Sequence, residues 1–256
     1  MKLNGIETLE ICFVVDVTGS MGSFITDAKK NVKDILKAVK HDGIELRVSI
    51  VKYRDHCDSY VTKKLSFTTD MDKINKFING FSAGGGGDWP EAVFDALQDC
   101  VENEFTDNST RMAILVADAP PHVCKEEEDG NYKCKCGKSF FDTTGKIEAK
   151  AMPVYSISID RNTETTRTFK AISKYTGGEC FESGSRATAT IKGIVDKQVA
   201  KIKQAKAIAD YIGDNNITSY LDADGVSKAV KDIGIDKNEF INAYGRLVTA
   251  GVLTIM

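Results

Sequence analysis

Residues 9–17 read LEICFVVDV, an almost unbroken apolar run that stops on Asp16 and gives way to TGSMG. A strand with one solvated face alternates apolar and polar residues, so a continuous run indicates a strand covered on both faces. Helices must then pack on either side of it. Helical spacing follows at once, with Phe24, Ala28, Val32, Ile35 and Val39 on one stripe and Gly43 as a stop signal. The alternation recurs along the chain. Strands are predicted over 44–55, 59–67, 111–118, 152–159 and 178–183. Helices are predicted over 70–81, from near Trp89 with Pro90 in the first turn, over 163–175 and over 187–213. The lysines of 59–67 mark that strand as an edge. The order implies an α/β fold: a doubly wound, mostly parallel, Rossmann-like sheet with helices on both faces.

In such sheets ligands sit beyond the carboxyl ends of the strands. Asp16 and Asp118 both end apolar runs there, and the GGGGDWP loop carries Asp88 toward the same rim. Three carboxylates and the hydroxyls of Thr18 and Ser20 would then converge. Packed carboxylates repel and raise one another's pKa unless a cation joins them. Mg²⁺ takes hard oxygen donors and retains some waters, which suits Asp-x-Thr-x-Ser on a tight turn freed by Gly19 and Gly22. The alternative at this point is that Thr18 and Ser20 cap a helix starting near Met21.

The stretches DVTGSM, GGGGDWPEAV and ILVADAPPH, with YRDH at 53–56, resemble the metal-ion-dependent adhesion motifs of the von Willebrand factor A domain family. The variant is similar to the A domain of von Willebrand-type alpha-kinases and related intracellular A-domain proteins, over roughly residues 8–205. The resemblance implies Mg²⁺, or Mn²⁺ or Ca²⁺, at the rim. Thr18 and Ser20 would bind it directly, and Asp16 and Asp118 directly or through water. Asp88 stands where adhesion members carry a threonine ligand. A direct Asp88 bond would neutralise part of the metal's charge and weaken its capture of an acidic group. Alternatively Asp88 caps the helix beginning near Trp89. The implied function is non-catalytic: a metal-dependent adaptor or scaffold that recognises a protein partner, whose acidic residue completes the metal shell.

Two other classes compete. Haloacid-dehalogenase-type phosphatases also place an aspartate after a first apolar strand, which would make Asp16 a nucleophile beside Mg²⁺. Thr18 holds the place of that chemistry's second aspartate, and ADAPPH has no role in it. A structural component of a larger assembly is the third class. No P-loop or dinucleotide fingerprint is present in the sequence. The roughly 50 residues after the A-type region cannot hold a kinase catalytic domain, so kinase activity is not carried over.

Residues 120–142 form a cysteine-rich insertion in which His122, Cys124, Cys134 and Cys136 offer four zinc-type ligands. His56 reads as an ordinary loop histidine and His41 as a helix-end residue. Cys12 and Cys100 read as buried thiols. The N-terminus lacks a secretory pattern and no run of about 18 apolar residues occurs, which favours a reducing, cytoplasmic setting without a membrane span. A net charge of -3 argues against nucleic-acid binding. The division expected is an A-type domain over 1–205 and a small helical C-terminal module over 206–256, with two or three helices and a final apolar strand. DADG at 222–225 is no calcium loop: with Gly225 at the sixth place, Tyr220 is first and Lys231 last, where an acid is needed.

Overall fold

The computed structural model describes residues 7–26, 29, 44–87, 89–122, 136–160, 162–183, 186–249, 251 and 253. Strands β1 (Thr8–Asp16), β2 (Glu45–Tyr53), β3 (Thr62–Thr68), β4 (Thr110–Ala117), β5 (Val154–Ser158) and β6 (Cys180–Glu182) form one sheet in the order β3-β2-β1-β4-β5-β6. Neighbours are parallel except β2 and β3, so the lysine-bearing strand is an antiparallel edge. The helices are α1 (Met71–Asn79), α2 (Val93–Val101), α3 (Phe140–Ala149), α4 (Thr163–Thr176), α5 (Ala187–Asp214), α6 (Ala223–Ile233) and α7 (Lys237–Thr249).

The continuous burial of β1 splits by parity. Leu9, Ile11, Phe13 and Val15 enter one core with Ile74 and Ile78 of α1 and Ile191 and Val195 of α5. Cys12 and Val14 enter the opposite core with Phe94 and Leu97 of α2, Ile147 of α3 and Phe169 of α4. β4 repeats the pattern, Met112, Ile114 and Val116 against Ala113, Leu115 and Ala117. Side chains alternate across a strand, so only an all-apolar run can supply both layers. Cys12 and Cys100 are buried thiols, as expected.

The start of α2 differs from expectation. α2 starts at Val93, with Ala92 as its cap and no side-chain cap bond, rather than near Trp89. Glu91 instead forms a parallel bridge with Pro121, its N–H donating to the Pro120 carbonyl at 2.9 Å, so Pro90 precedes the helix. The helix predicted after β1 begins among described residues, 22–26 being helical, while Ala28, Val32, Ile35, Val39, His41 and Gly43 lie outside them.

The expected division at 205/206 falls inside α5, one 28-residue helix. Its first half packs Ile191, Ile194, Val195, Val199 and Ile202 on the sheet, and its second half gives Ile208, Ala209 and Ile212 to a separate core with Phe240, Ala243 and Leu247 of α7. DADG proves to be a helix start, Asp222 accepting from the Gly225 N–H at 2.8 Å. The predicted final strand falls on 250–256, of which only 251 and 253 are described. Phe240 is fully buried in this second core. Phe240→Ala is expected to cost about 3–5 kcal/mol, read as a lowered denaturant midpoint.

Candidate metal centre

Connections leaving β1 run toward β2 and those leaving β4 toward β5, so the winding reverses between these neighbouring strands. A crevice opens at such a switch point beyond the strand ends. Asp16 is the last residue of β1 and Asp118 follows β4 directly, which puts both at that crevice.

The turn after Asp16 is shaped by its own carboxylate. Asp16 Oδ1 accepts the Thr18 N–H at 2.8 Å and the Thr18 hydroxyl at 2.6 Å. Thr18 Oγ1 also lies 3.5 Å from Ser20 Oγ. A short 3₁₀ turn, Gly19–Met21, follows; Thr18 precedes it without a side-chain cap bond, and Met21 is buried as its anchor. The capping alternative therefore fails for Thr18, whose hydroxyl points back at Asp16. Ser20 is exposed and Asp118 half-buried. Asp88 lies outside the described residues, and its role as a cap for a helix near Trp89 is excluded by the start of α2 at Val93.

Backbone hydrogen bonds sew the surrounding loops to this turn. Gly84 N–H donates to the Val17 carbonyl, Gly19 N–H to that of Gly85, Ala92 N–H to that of Arg54, and His122 N–H to that of Glu91. The Asp58 carboxylate accepts from the Gly86 N–H at 2.8 Å and the Asp55 N–H at 3.1 Å. Gly85 has φ +82°, and a Cβ there would sit 2.2 Å from Asp58 Oδ1. Both the backbone and the space thus require glycine at this position.

Sequence reasoning missed the carboxylate this loop brings in. Glu91 is 4% exposed, and its Oε1 lies where a Cβ on Gly86 would crowd it. Burial, then the charges of Asp16, Asp55, Asp58 and Asp118, push Glu91 up to about 9. Asp16 is pushed up to about 7, chiefly by burial, with hydrogen bonds from Thr18 opposing and the Asp118 charge adding. The Tyr53 phenol beneath them is raised well above its usual range by burial and by Asp16, Glu91 and Asp118. Asp16 Oδ2, Glu91 Oε2 and the Tyr53 hydroxyl are buried without a hydrogen-bond partner among the described residues. The only sequence signal for Glu91 was its position three residues beyond Asp88.

These oxygens fit a hard divalent cation. The buried acceptor Oδ2 of Asp16 needs positive charge, and Thr18 and Ser20 add neutral hydroxyl oxygens beside it. Asp16, Glu91 and Asp118 do not close into a group within 4.8 Å, unlike two groups elsewhere among the described residues. One of those is Asp55, His56 and His122; the other is His56, Asp95 and Cys136. Of the predicted zinc ligands, His122 is buried and belongs to the first group, while exposed Cys136 belongs to the second. Cys124 and Cys134 lie outside the described residues.

Fold and site define a doubly wound α/β domain with an oxygen-lined turn at its switch point. The chain belongs to the von Willebrand factor A domain family, whose model matches residues 10–185. Domains of this family mediate protein–protein interaction. A protein of Acanthamoeba polyphaga mimivirus named as ariadne-like RING finger is 30% identical over 178 residues, 67% of this chain and 18% of that protein. The alpha-protein kinase vwkA of Dictyostelium discoideum is 31% identical over 119 residues, 45% of this chain and 19% of the kinase. The chain thus spans less than a fifth of either relative. Among solved structures, the pilus adhesin SpaC of Lactobacillus rhamnosus GG superposes with a TM-score of 0.56 at 14% identity, covering 80% of this chain and 30% of SpaC. The conserved hypothetical protein BatB of Bacteroides thetaiotaomicron gives 0.53 at 14%, covering 75% and 99%. These structures share the fold. No helix among the described residues is long and apolar enough to cross a membrane.

An acid held protonated in the fold supports stability below its ordinary value and loses that support as pH climbs to its folded value. For Asp16 the window runs from 3.8 to about 7, and for Glu91 from 4.5 to about 9. In chelator, the melting temperature is expected to fall as pH rises through these windows. Asp16→Asn, which cannot ionise, flattens the lower part of that decline in the same thermal melts.

Proposed function

We propose that this chain is a non-catalytic, metal-dependent protein-binding domain whose rim holds Mg²⁺, with Mn²⁺ or Ca²⁺ as substitutes. The observation that carries this reading is the buried, unpartnered Oδ2 of Asp16 beside the hydroxyls of Thr18 and Ser20. Thr18 and Ser20 would hold the ion, with Asp16 and Asp118 bound directly or through water, and Asp88 carried over from the family resemblance. When bound, the ion supplies an electrophilic point that an acidic side chain of a partner can complete. Glu91 adds a further buried acid beside the rim.

The phosphatase alternative is disfavoured by the same geometry. A nucleophilic carboxylate must be ionised and reachable. Asp16 is fully buried and has one oxygen occupied by two donors from Thr18. The activities in the names of the kinase and RING-finger relatives belong to proteins more than five times the length matched here.

Wild-type protein is expected to bind one Mn²⁺ at the rim in isothermal titration, and Ser20→Ala to weaken that binding at least tenfold. Mg²⁺ at about a hundredfold excess over its Kd should stabilise the wild type by about 2.7 kcal/mol and leave the Asp16→Ala, Ser20→Ala double variant unmoved. Equal Mn²⁺ affinity in wild type and double variant would reject the rim as the ion site.

A further inference from the structure

Beside the rim, the loop after β2 and the segment after β4 bring two histidines and a carboxylate together. His56 is no ordinary loop histidine, since its side chain is only 6% exposed. Its Nε2 lies 2.9 Å from Asp95 Oδ2 on α2. Lys138 Nζ donates to the other oxygen of Asp95 at 2.7 Å. Asp95 thus accepts from Lys138 on one oxygen and faces Nε2 of His56 with the other, which leaves Nδ1 as the ring's remaining ligand atom.

That Nδ1 is buried and has no hydrogen-bond partner among the described residues. It faces Asp55 Oδ1 at 3.7 Å, too far for a hydrogen bond. Asp55 is fully buried, and the same Oδ1 contacts Nε2 of His122, itself 5% exposed. The two imidazole rings are tilted by 47° with centroids 4.9 Å apart. One ligand atom from each of Asp55, His56 and His122 lies within 4.8 Å of the others.

A lone pair and a carboxylate oxygen that face each other in a buried site share no proton and repel. A cation between them removes both penalties. The donor set, two imidazoles and one carboxylate, selects a borderline ion such as Zn²⁺ over Mg²⁺, which takes oxygen. Asp95 stands behind His56 as the outer carboxylate that orients a metal-bound imidazole.

We propose that Asp55 Oδ1, His56 Nδ1 and His122 Nε2 form a zinc-class metal site separate from the oxygen-lined rim, with Asp95 as the positioning residue behind His56. The ion would clamp the loop after β2 to the segment after β4. His122 is shared with the ligand set expected from sequence, but its partners are Asp55 and His56 rather than the cysteines. The grouping of His56, Asp95 and Cys136 is the weaker rival, because Lys138 and His56 already hold Asp95.

The test uses the full chain carrying Asp16→Asn and Ser20→Ala, so that the rim does not contribute. It is stripped with chelator and titrated with Zn²⁺, and with Co²⁺ as a visible probe. The expected result is one ion per chain and a cobalt absorption band of a four-coordinate nitrogen–oxygen site. Both are lost in His56→Gln and in His122→Gln, and both are kept in Cys134→Ser. Asp95→Asn should weaken Zn²⁺ binding about 10–100-fold and shift the cobalt band while the circular dichroism stays unchanged. Binding that survives both histidine variants, disappears only in Cys134→Ser, or never occurs at micromolar Zn²⁺ overturns the proposal. Should a glutamine variant lose its fold, the parent protein decides. The chain has three histidines, and paramagnetically shifted ring protons from two of them in the Co²⁺ complex support the site, whereas unshifted rings refute it.

Discussion

A carboxylate buried at the end of a central strand must find positive charge, and β1 carries one near each end with opposite solutions. Glu10, fully buried near the amino end, is surrounded: Arg47 contacts Oε1, Ser109 Oγ donates to Oε2 at 2.6 Å, and the Thr106 N–H and hydroxyl complete the set. Asp16, equally buried at the carboxyl end, has only Thr18 on one oxygen and nothing on the other. An uncompensated buried charge costs several kcal/mol, so the two ends of one strand are not equivalent. At that end the charges of Asp16, Asp55, Asp58 and Asp118 all bear on Glu91. Among the described residues one end of the strand is satisfied internally, and the other keeps an unpartnered carboxylate oxygen.

The loops at that end hold one another in place. Hydrogen bonds tie Gly84 to Val17, Gly19 to Gly85, Ala92 to Arg54 and His122 to Glu91, so three separate connections act as one surface. The histidine group uses the same frame. His122 is positioned by the bridge of Glu91 to Pro121, and His56 by the turn whose Asp55 N–H bonds Asp58. A proposed oxygen site and a proposed nitrogen-rich site thus share one scaffold, and Glu91 lies between them in both bonding and field.

The layered sheet was legible because an apolar run without alternation, as in Phe13–Val15, has few other homes in a folded chain. The strand ends and the Asp16 and Asp118 positions followed from it. What escaped was set by contacts distant in sequence. Glu91 reads as an ordinary first-turn helix acid until Pro121 pairs with it and delays α2. His56 reads as a loop residue until α2 brings Asp95 to its Nε2, 39 positions further along. Periodicity reports which face of an element is covered; it does not report which polar tips meet when elements from different parts of the chain pack.

The long helix α5 carries a constraint of its own. It completes the core beneath the sheet and then, without a break, opens the core with α6 and α7. Its far half meets the amino ends of the strands, where Lys206 contacts Glu7, so the second core sits at the pole opposite the aspartate turn. A rod of 28 residues spans about 42 Å at the usual rise. The family's match stops at residue 185, just before this helix begins at Ala187, so cutting the polypeptide there strips the rod away and leaves the greasy side of the sheet bare. Held whole, the same rod ties the two cores together at a fixed separation and bearing, as a strut does.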